Sequence, residues 1–166
     1  NHAPERASRP FDATRNGFVL GEGAGFLVLE EWHAARARGA RIYAELAGDG
    51  NSLSSYRITD SHPSGDGPIQ AMRQAIADAG ATLHDVDYLN AHGTSTPVGD
   101  VGEIKALRRV CGEGAVPKVS STKSLTGHSM GATGVQEAIY SLLMMQNDFI
   151  CESANISEID PEFADI

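Results

Sequence analysis

The chain has 166 residues, 41% hydrophobic and 21% charged, with 13 Lys and Arg against 22 Asp and Glu for a formal net charge of −9. This composition excludes a disordered chain, because a chain of this size buries roughly 68–70% of its unfolded surface, and it allows one domain or half of a larger two-part fold. The acidic excess repels a phosphate backbone or an anionic bilayer, so neither nucleic acid nor membrane is an expected partner.

No apolar run approaches the ~20 residues needed to cross a bilayer, and Arg6 and Arg9 precede no apolar stretch, so neither a span nor a signal peptide is expected. Cys111 and Cys151 have no metal-type spacing and no partner cluster. This fits a reducing cytoplasm. The chain begins with Asn1 rather than Met, which reads as a piece of a longer protein.

In chain order, residues 18–20 and 26–29 are apolar runs that predict strands, separated by Gly21-Glu22-Gly23-Ala24-Gly25, whose small size allows close backbone packing. Residues 30–38 predict a helix stopped by Gly39, and residues 42–47 another strand. Residues 51–66, rich in Ser, Pro, Asp and Gly, read as a long loop bordering something functional. A helix is predicted over 68–80 with Ile69, Met72, Ile76 and Ala79 on one face. A strand over 86–91, a helix over 100–110, a strand over 116–121, a loop over 123–128 and a largely apolar helix over 131–146 complete the pattern. Alternating strands and helices give a layered α/β fold with its chemistry in loops at strand ends.

Two such loops stand out. Asn90-Ala91-His92-Gly93-Thr94-Ser95-Thr96-Pro97 follows one predicted strand, and Lys123-Ser124-Leu125-Thr126-Gly127-His128 follows another. Each sets a histidine beside a glycine, so a substrate can approach ring and backbone closely. Both could face one cleft.

With these motifs the sequence closely resembles the C-terminal half of the β-ketoacyl-acyl carrier protein synthases, the condensing enzymes of fatty acid synthesis. The likeness runs from Ala7-Ser8-Arg9-Pro10-Phe11-Asp12 to Asn155-Ile156, so residues 1–166 are taken as the C-terminal part of one thiolase-like domain. It implies a decarboxylative Claisen condensation: a cysteine takes an acyl chain from acyl carrier protein, malonyl-acyl carrier protein loses carbon dioxide, and the enolate attacks the acyl thioester. His92 and His128 match the histidines of the Cys-His-His class, and a histidine rather than asparagine at 128 excludes the initiating class. Thr94-Ser95-Thr96 and Leu125-Thr126-Gly127-His128 depart from the modular polyketide pattern and favour the stand-alone fatty-acid type. Residues 134–143 resemble synthase I most, and residues 21–25 and 27–31 synthase II; I is favoured, with II next.

The resemblance further implies that Lys123 lies in the active site, positions a histidine and pairs with Glu137. An acid on so apolar a helix needs such a partner on physical grounds. Thr94 and Thr96 match threonines that bind the pantetheine arm, a role favoured over simple turn capping. Asn90 and Glu137 match positions that hold a monovalent cation in some members; no other metal is expected. No cofactor is implied beyond the phosphopantetheine of acyl carrier protein, which carries the substrates and is the expected partner of a cytoplasmic homodimer. The nucleophile's small-residue motif surrounds neither Cys111 nor Cys151, so the isolated chain is expected to be inactive. The alternative is a non-catalytic fragment or relative serving as a structural or partner-binding unit, with a thiolase a weaker third. His2, His33, His62 and His84 read as structural. Arg36, Arg38 and Arg41 read as a solvated helix end rather than a carrier-protein dock.

Overall fold

A computed structural model describes residues 3–58, 61–114 and 116–166. Two short strands, β1 (Tyr88–Asn90) and β2 (Lys118–Ser120), pair in parallel with Tyr88 opposite Lys118 and Asn90 opposite Ser120. The described residues also form five α-helices: α1 (Trp32–Ala37), α2 (Asp66–Asp78), α3 (Pro97–Cys111), α4 (Lys123–Thr126) and α5 (Thr133–Asn147). α3 is the crossover between the parallel strands, the connection such pairing requires.

Local chemistry sets the ends of α3. Pro97 occupies its first turn, where a missing N–H costs nothing, and Thr96 Oγ1 accepts the Gly99 N–H at 3.2 Å. Arg108 and Arg109 sit in the last turn, where they complement the helix dipole, and Gly112 ends it at φ 61°. The buried face of α3, Ile104 and Leu107 with Cys111, packs with Phe11, Ala91 and Phe163, so the core joins the chain's first and last segments to β1 and α3. Phe11 and Phe163 meet edge to face at 5.4 Å.

The helices predicted over 30–38, 68–80, 100–110 and 131–146 are present with shifted ends. Three predicted strands are not. Residues 18–20, 26–29 and 42–47 carry no paired ladder among the described residues; Leu20 alone makes an isolated parallel bridge, to His128. Phe26 and Val28 are 91% and 93% exposed. A strand is a pairing rather than a sequence property, and these segments have no neighbour to pair with among the described residues. The predicted loop over 123–128 instead opens with the single turn α4, closed by Thr126 N–H to Thr122 O at 3.2 Å and Gly127 N–H to Lys123 O at 3.0 Å.

Asp12 ties the first segment to the last. Its carboxylate accepts the Thr14 N–H at 2.8 Å, the Thr14 hydroxyl at 2.6 Å and the N–H groups of Ser157 and Glu158 at 2.7 and 3.1 Å. Burial pushes its pKa up, but the hydrogen bonds from Thr14, Glu158 and Ser157 outweigh burial and hold it at about 2. A carboxylate held below its unfolded value contributes stability that is present above the unfolded pKa and lost as pH falls through the folded one. Asp12→Asn is therefore expected to lower the melting temperature at neutral pH and to flatten the loss of stability between pH about 4 and about 2. Thermal melts across that range check it; an unchanged acid limb would refute the assignment.

Candidate active site

Because β1 and β2 run parallel, the segments after Asn90 and Ser120 leave the same edge. The Ala91 N–H donates to Ser120 O at 2.9 Å, and the Ser121 hydroxyl donates to Gly93 O at 2.7 Å, so the two loops remain zipped beyond the ladder. A Cβ on Gly93 would lie 2.7 Å from the Ser121 Cβ and 3.1 Å from the Phe11 ring, and only glycine permits this contact.

The His128 loop is fixed from the other side. His128 N–H donates to Val19 O at 2.8 Å and Gly21 N–H donates to His128 O at 3.0 Å. A side chain at Gly21 would run into the Thr126 carbonyl, and one at Gly25 would press on Val135 and Ile139 of α5, so the glycine run does serve close packing. The outcome is that the His92 and His128 rings meet edge to face, with centroids 5.1 Å apart and planes at 88°. Phe18 packs edge-on against the other side of His128 at 5.9 Å.

Lys123 is 1% exposed and its ammonium donates to the Glu137 carboxylate across α4 and α5. Burial pushes the Glu137 carboxyl up, against the hydrogen bond and charge of Lys123. Crowding by the protein lowers His92 to about 4, with Lys123 and His128 adding to it, although one side of the residue is open to solvent. Burial, then Lys123, lowers His128 as well. Both imidazoles are neutral at neutral pH, and each can donate one N–H. His128 Nδ1 shares a hydrogen bond with the Thr133 hydroxyl at 3.0 Å; with that hydroxyl donating, the ring proton sits on Nε2.

Thr94 and Thr96 hydroxyls share a hydrogen bond at 3.2 Å in which either can donate, and Thr96 Oγ1 also accepts the Gly99 N–H to cap α3, so capping is real for Thr96 and one of the two hydroxyl protons remains free to donate. Asn90 Oδ1 and Nδ2 are buried and have no hydrogen-bond partner among the described residues. His33 lies in α1, His62 packs on Tyr56 and bonds Ser64, and His84 sits in the short turn Leu83–Asp85. His2 lies outside the described residues. Arg38 is bound to Glu30, while Arg36 and Arg41 lie over Trp32 and Tyr43.

Sequence reasoning missed Glu103 on α3. Its Oε1 accepts the His92 N–H at 2.7 Å and its Oε2 the Gly93 N–H at 2.8 Å, gripping the backbone that carries the first imidazole. Burial pushes its pKa up against those two donors. The available signal was an acid one helical turn after Asp100, at the start of a helix that follows a histidine loop.

Glu137→Gln leaves a buried ammonium uncompensated, for which about 3–5 kcal/mol of stability is the typical loss. A chemical melt with less than 1 kcal/mol change, about the scale of an exposed pair, would refute the buried pairing. NMR titration of labelled histidine is expected to show a His92 midpoint far below its ordinary value, toward about 4. Lys123→Met is expected to raise it, because the ammonium opposes ring protonation. A His92 midpoint near its ordinary value would contradict the crowding.

The family model described as Beta-ketoacyl synthase, C-terminal domain, matches residues 43–157, and that for the N-terminal domain matches residues 1–35. The 3-oxoacyl-[acyl-carrier-protein] synthase 2 of Staphylococcus aureus is 53% identical over 95% of this chain and 40% of its own length. Synthase 1 of Haemophilus influenzae is 51% identical over 96% of this chain and 38% of its own. The chain thus spans about 40% of the length of the curated relatives it matches. A β-ketoacyl synthase from Burkholderia phymatum superposes on all of the chain and 40% of its own, with a TM-score of 0.90 at 42% identity. The ketosynthase structure of a type II PKS acyl-carrier protein complex superposes over 98% of this chain and 40% of its own, with a TM-score of 0.92 at 36% identity. On the family match over residues 43–157 and these likenesses, the chain belongs to the β-ketoacyl synthase family, with the thiolase-like α/β fold of its ketosynthases.

Proposed function

We propose that this chain supplies the His-His half of the active site of a 3-oxoacyl-acyl carrier protein synthase, for decarboxylative condensation of acyl and malonyl thioesters in fatty acid elongation. The observation that carries the reading is the pair of neutral imidazoles, 5.1 Å apart, at one strand edge. Loss of carbon dioxide from a malonyl thioester moves an electron pair onto the thioester oxygen. Two N–H donors aimed at that oxygen hold the enolate, each donor of this kind contributing typically about 2.7–4 kcal/mol. The enolate carbon then attacks an acyl thioester on a cysteine from outside this chain, so that the new C–C bond forms as the C–S bond breaks and that cysteine leaves as thiolate; buried Cys111 has its thiol pKa raised by burial and Cys151 lies outside the histidine loops.

Burial keeps both rings neutral with the charge of Lys123 adding to it, and Glu137 balances that buried charge. Thr94 and Thr96, on the loop of His92, offer hydroxyls to the amides of a phosphopantetheine arm, so acyl carrier protein is the partner and no dissociable cofactor is needed. The ketosynthase in complex with an acyl-carrier protein supports this partner. A homodimer in the cytoplasm is the assembly and place that fit. Among the described residues no helix is long and apolar enough to cross a membrane, and no cluster of three or more His, Cys, Asp or Glu is placed to hold a metal. Asn90, whose Oδ1 has no hydrogen-bond partner among the described residues, and Glu137 are the residues that would hold a monovalent cation, in a purely structural role.

The experiment is made in a synthase of full family length carrying this segment. His92→Ala and His128→Ala are each expected to cut carbon dioxide release from malonyl thioester by about 10²–10³, the typical cost of a lost oxyanion donor, while acylation of the cysteine persists. Labelled carbon dioxide and labelled acyl-enzyme are followed separately. Decarboxylation near the unmutated rate in both variants would overturn the reading, as would condensation by the isolated chain.

A further inference from the structure

The mechanism uses neither Arg15 nor Asp100, yet both are buried, and Asp100 completely so. Arg15 Nε lies 3.6 Å from Asp100 Oδ2, and the two close on the backbone of one residue, Thr96. Asp100 Oδ1 accepts the Thr96 N–H at 3.3 Å, and Arg15 Nε donates to Thr96 O at 3.4 Å. The remaining arms of the guanidinium reach Pro97 O at 3.2 Å, Asp12 O at 3.0 Å and the Asp160 carboxylate at 2.6 Å, with the Phe163 ring beneath at 4.8 Å. Asp100 Oδ2 also accepts the Phe11 N–H at 3.1 Å. A planar fork with several fixed donors can hold a carbonyl pair in one geometry, which an ammonium cannot.

The residue held in this way, itself in extended backbone, directly follows the strained position of the turn. Ser95 immediately before it is fully buried at φ 70°, in the left-handed region, pinned by Arg9 N–H to its hydroxyl at 3.1 Å and Gly17 N–H to its carbonyl at 2.9 Å. Burying an ion pair is costly, and this one is spent on the turn that aims the Thr94 and Thr96 hydroxyls, 3.2 Å apart. We infer that Arg15 is a positioning residue for substrate binding: paired with Asp100, it brackets Thr96 and fixes where the two hydroxyls meet the amide-bearing arm of the thioester. This rests on the reading that Thr94 and Thr96 bind that arm.

The test compares malonyl-pantetheine with malonyl methyl thioester, which lacks the arm, in the full-length synthase. Arg15→Lys and Arg15→Gln are expected to raise KM for malonyl-pantetheine about tenfold, with kcat within about twofold and the methyl thioester unaffected. Phe163→Leu removes the ring beneath the guanidinium and none of its hydrogen bonds; it is expected to lower the melting temperature without moving KM. If neither Arg15 variant folds, Asp160→Asn, which loosens the guanidinium without touching Thr96, is read in the same way. An unchanged KM in the folded variants, or an equal rise in Phe163→Leu, overturns the positioning role. Thr94→Val and Thr96→Val separate the two readings. If they leave KM for malonyl-pantetheine unchanged, the threonine assignment fails; if they raise it and the Arg15 variants do not, the bracket alone fails.

Discussion

The parallel pairing of β1 with β2 is the constraint on which the site depends. Parallel strands end on the same side, so the loop carrying His92 and the loop leading to His128 emerge together. An antiparallel pair would have sent them to opposite ends. α3, capped by Thr96, supplies the crossover that makes the parallel pairing possible and also carries Glu103 and Asp100 back beneath the first loop. One helix therefore both connects the strands and holds the backbone of the histidine loop.

Charge is arranged against the overall composition. The chain is strongly acidic, yet the charge that acts on the histidines is that of a single lysine, 1% exposed and bound to Glu137. Burial is the larger cause that disfavours protonation of both imidazoles, and the Lys123 charge adds to it. Neutral rings are suited to donating hydrogen bonds to a developing anion, whereas charged rings would hold a resting carboxylate as readily as the transition state. The acids beside the first loop, Glu103 and Asp100, have their charge satisfied by backbone N–H groups and Arg15 rather than by the imidazoles.

The unpaired segments before α1 and α2 have a different physical character. Phe26, Val28, Leu46 and Leu53 are all exposed in segments without helix or ladder, bare apolar surface that proteins normally cover. The glycine strip at 21–25 shows that one side of the first of these segments already has its partner in α5 and the His128 loop. The other side is open.

The amino-acid sequence determined the longer helices and the two loop motifs, with α4 read as loop, because helical periodicity and capping residues are local signals that survive without knowledge of neighbours. The Lys123–Glu137 contact was implied by the family resemblance, and an acid on so apolar a helix independently called for a partner. The sequence also determined the glycines, since small residues beside a histidine and in a run of five announce close approach. Tertiary structure alone decided which apolar runs become strands, because a ladder exists only where a partner lies alongside; residues 86–91 found one and residues 42–47 did not. It alone revealed the grip of Glu103 on His92 and the bracket of Arg15 and Asp100 on Thr96. Those contacts join side chains to backbone atoms far along the chain, and a backbone N–H or carbonyl has no letter in a sequence.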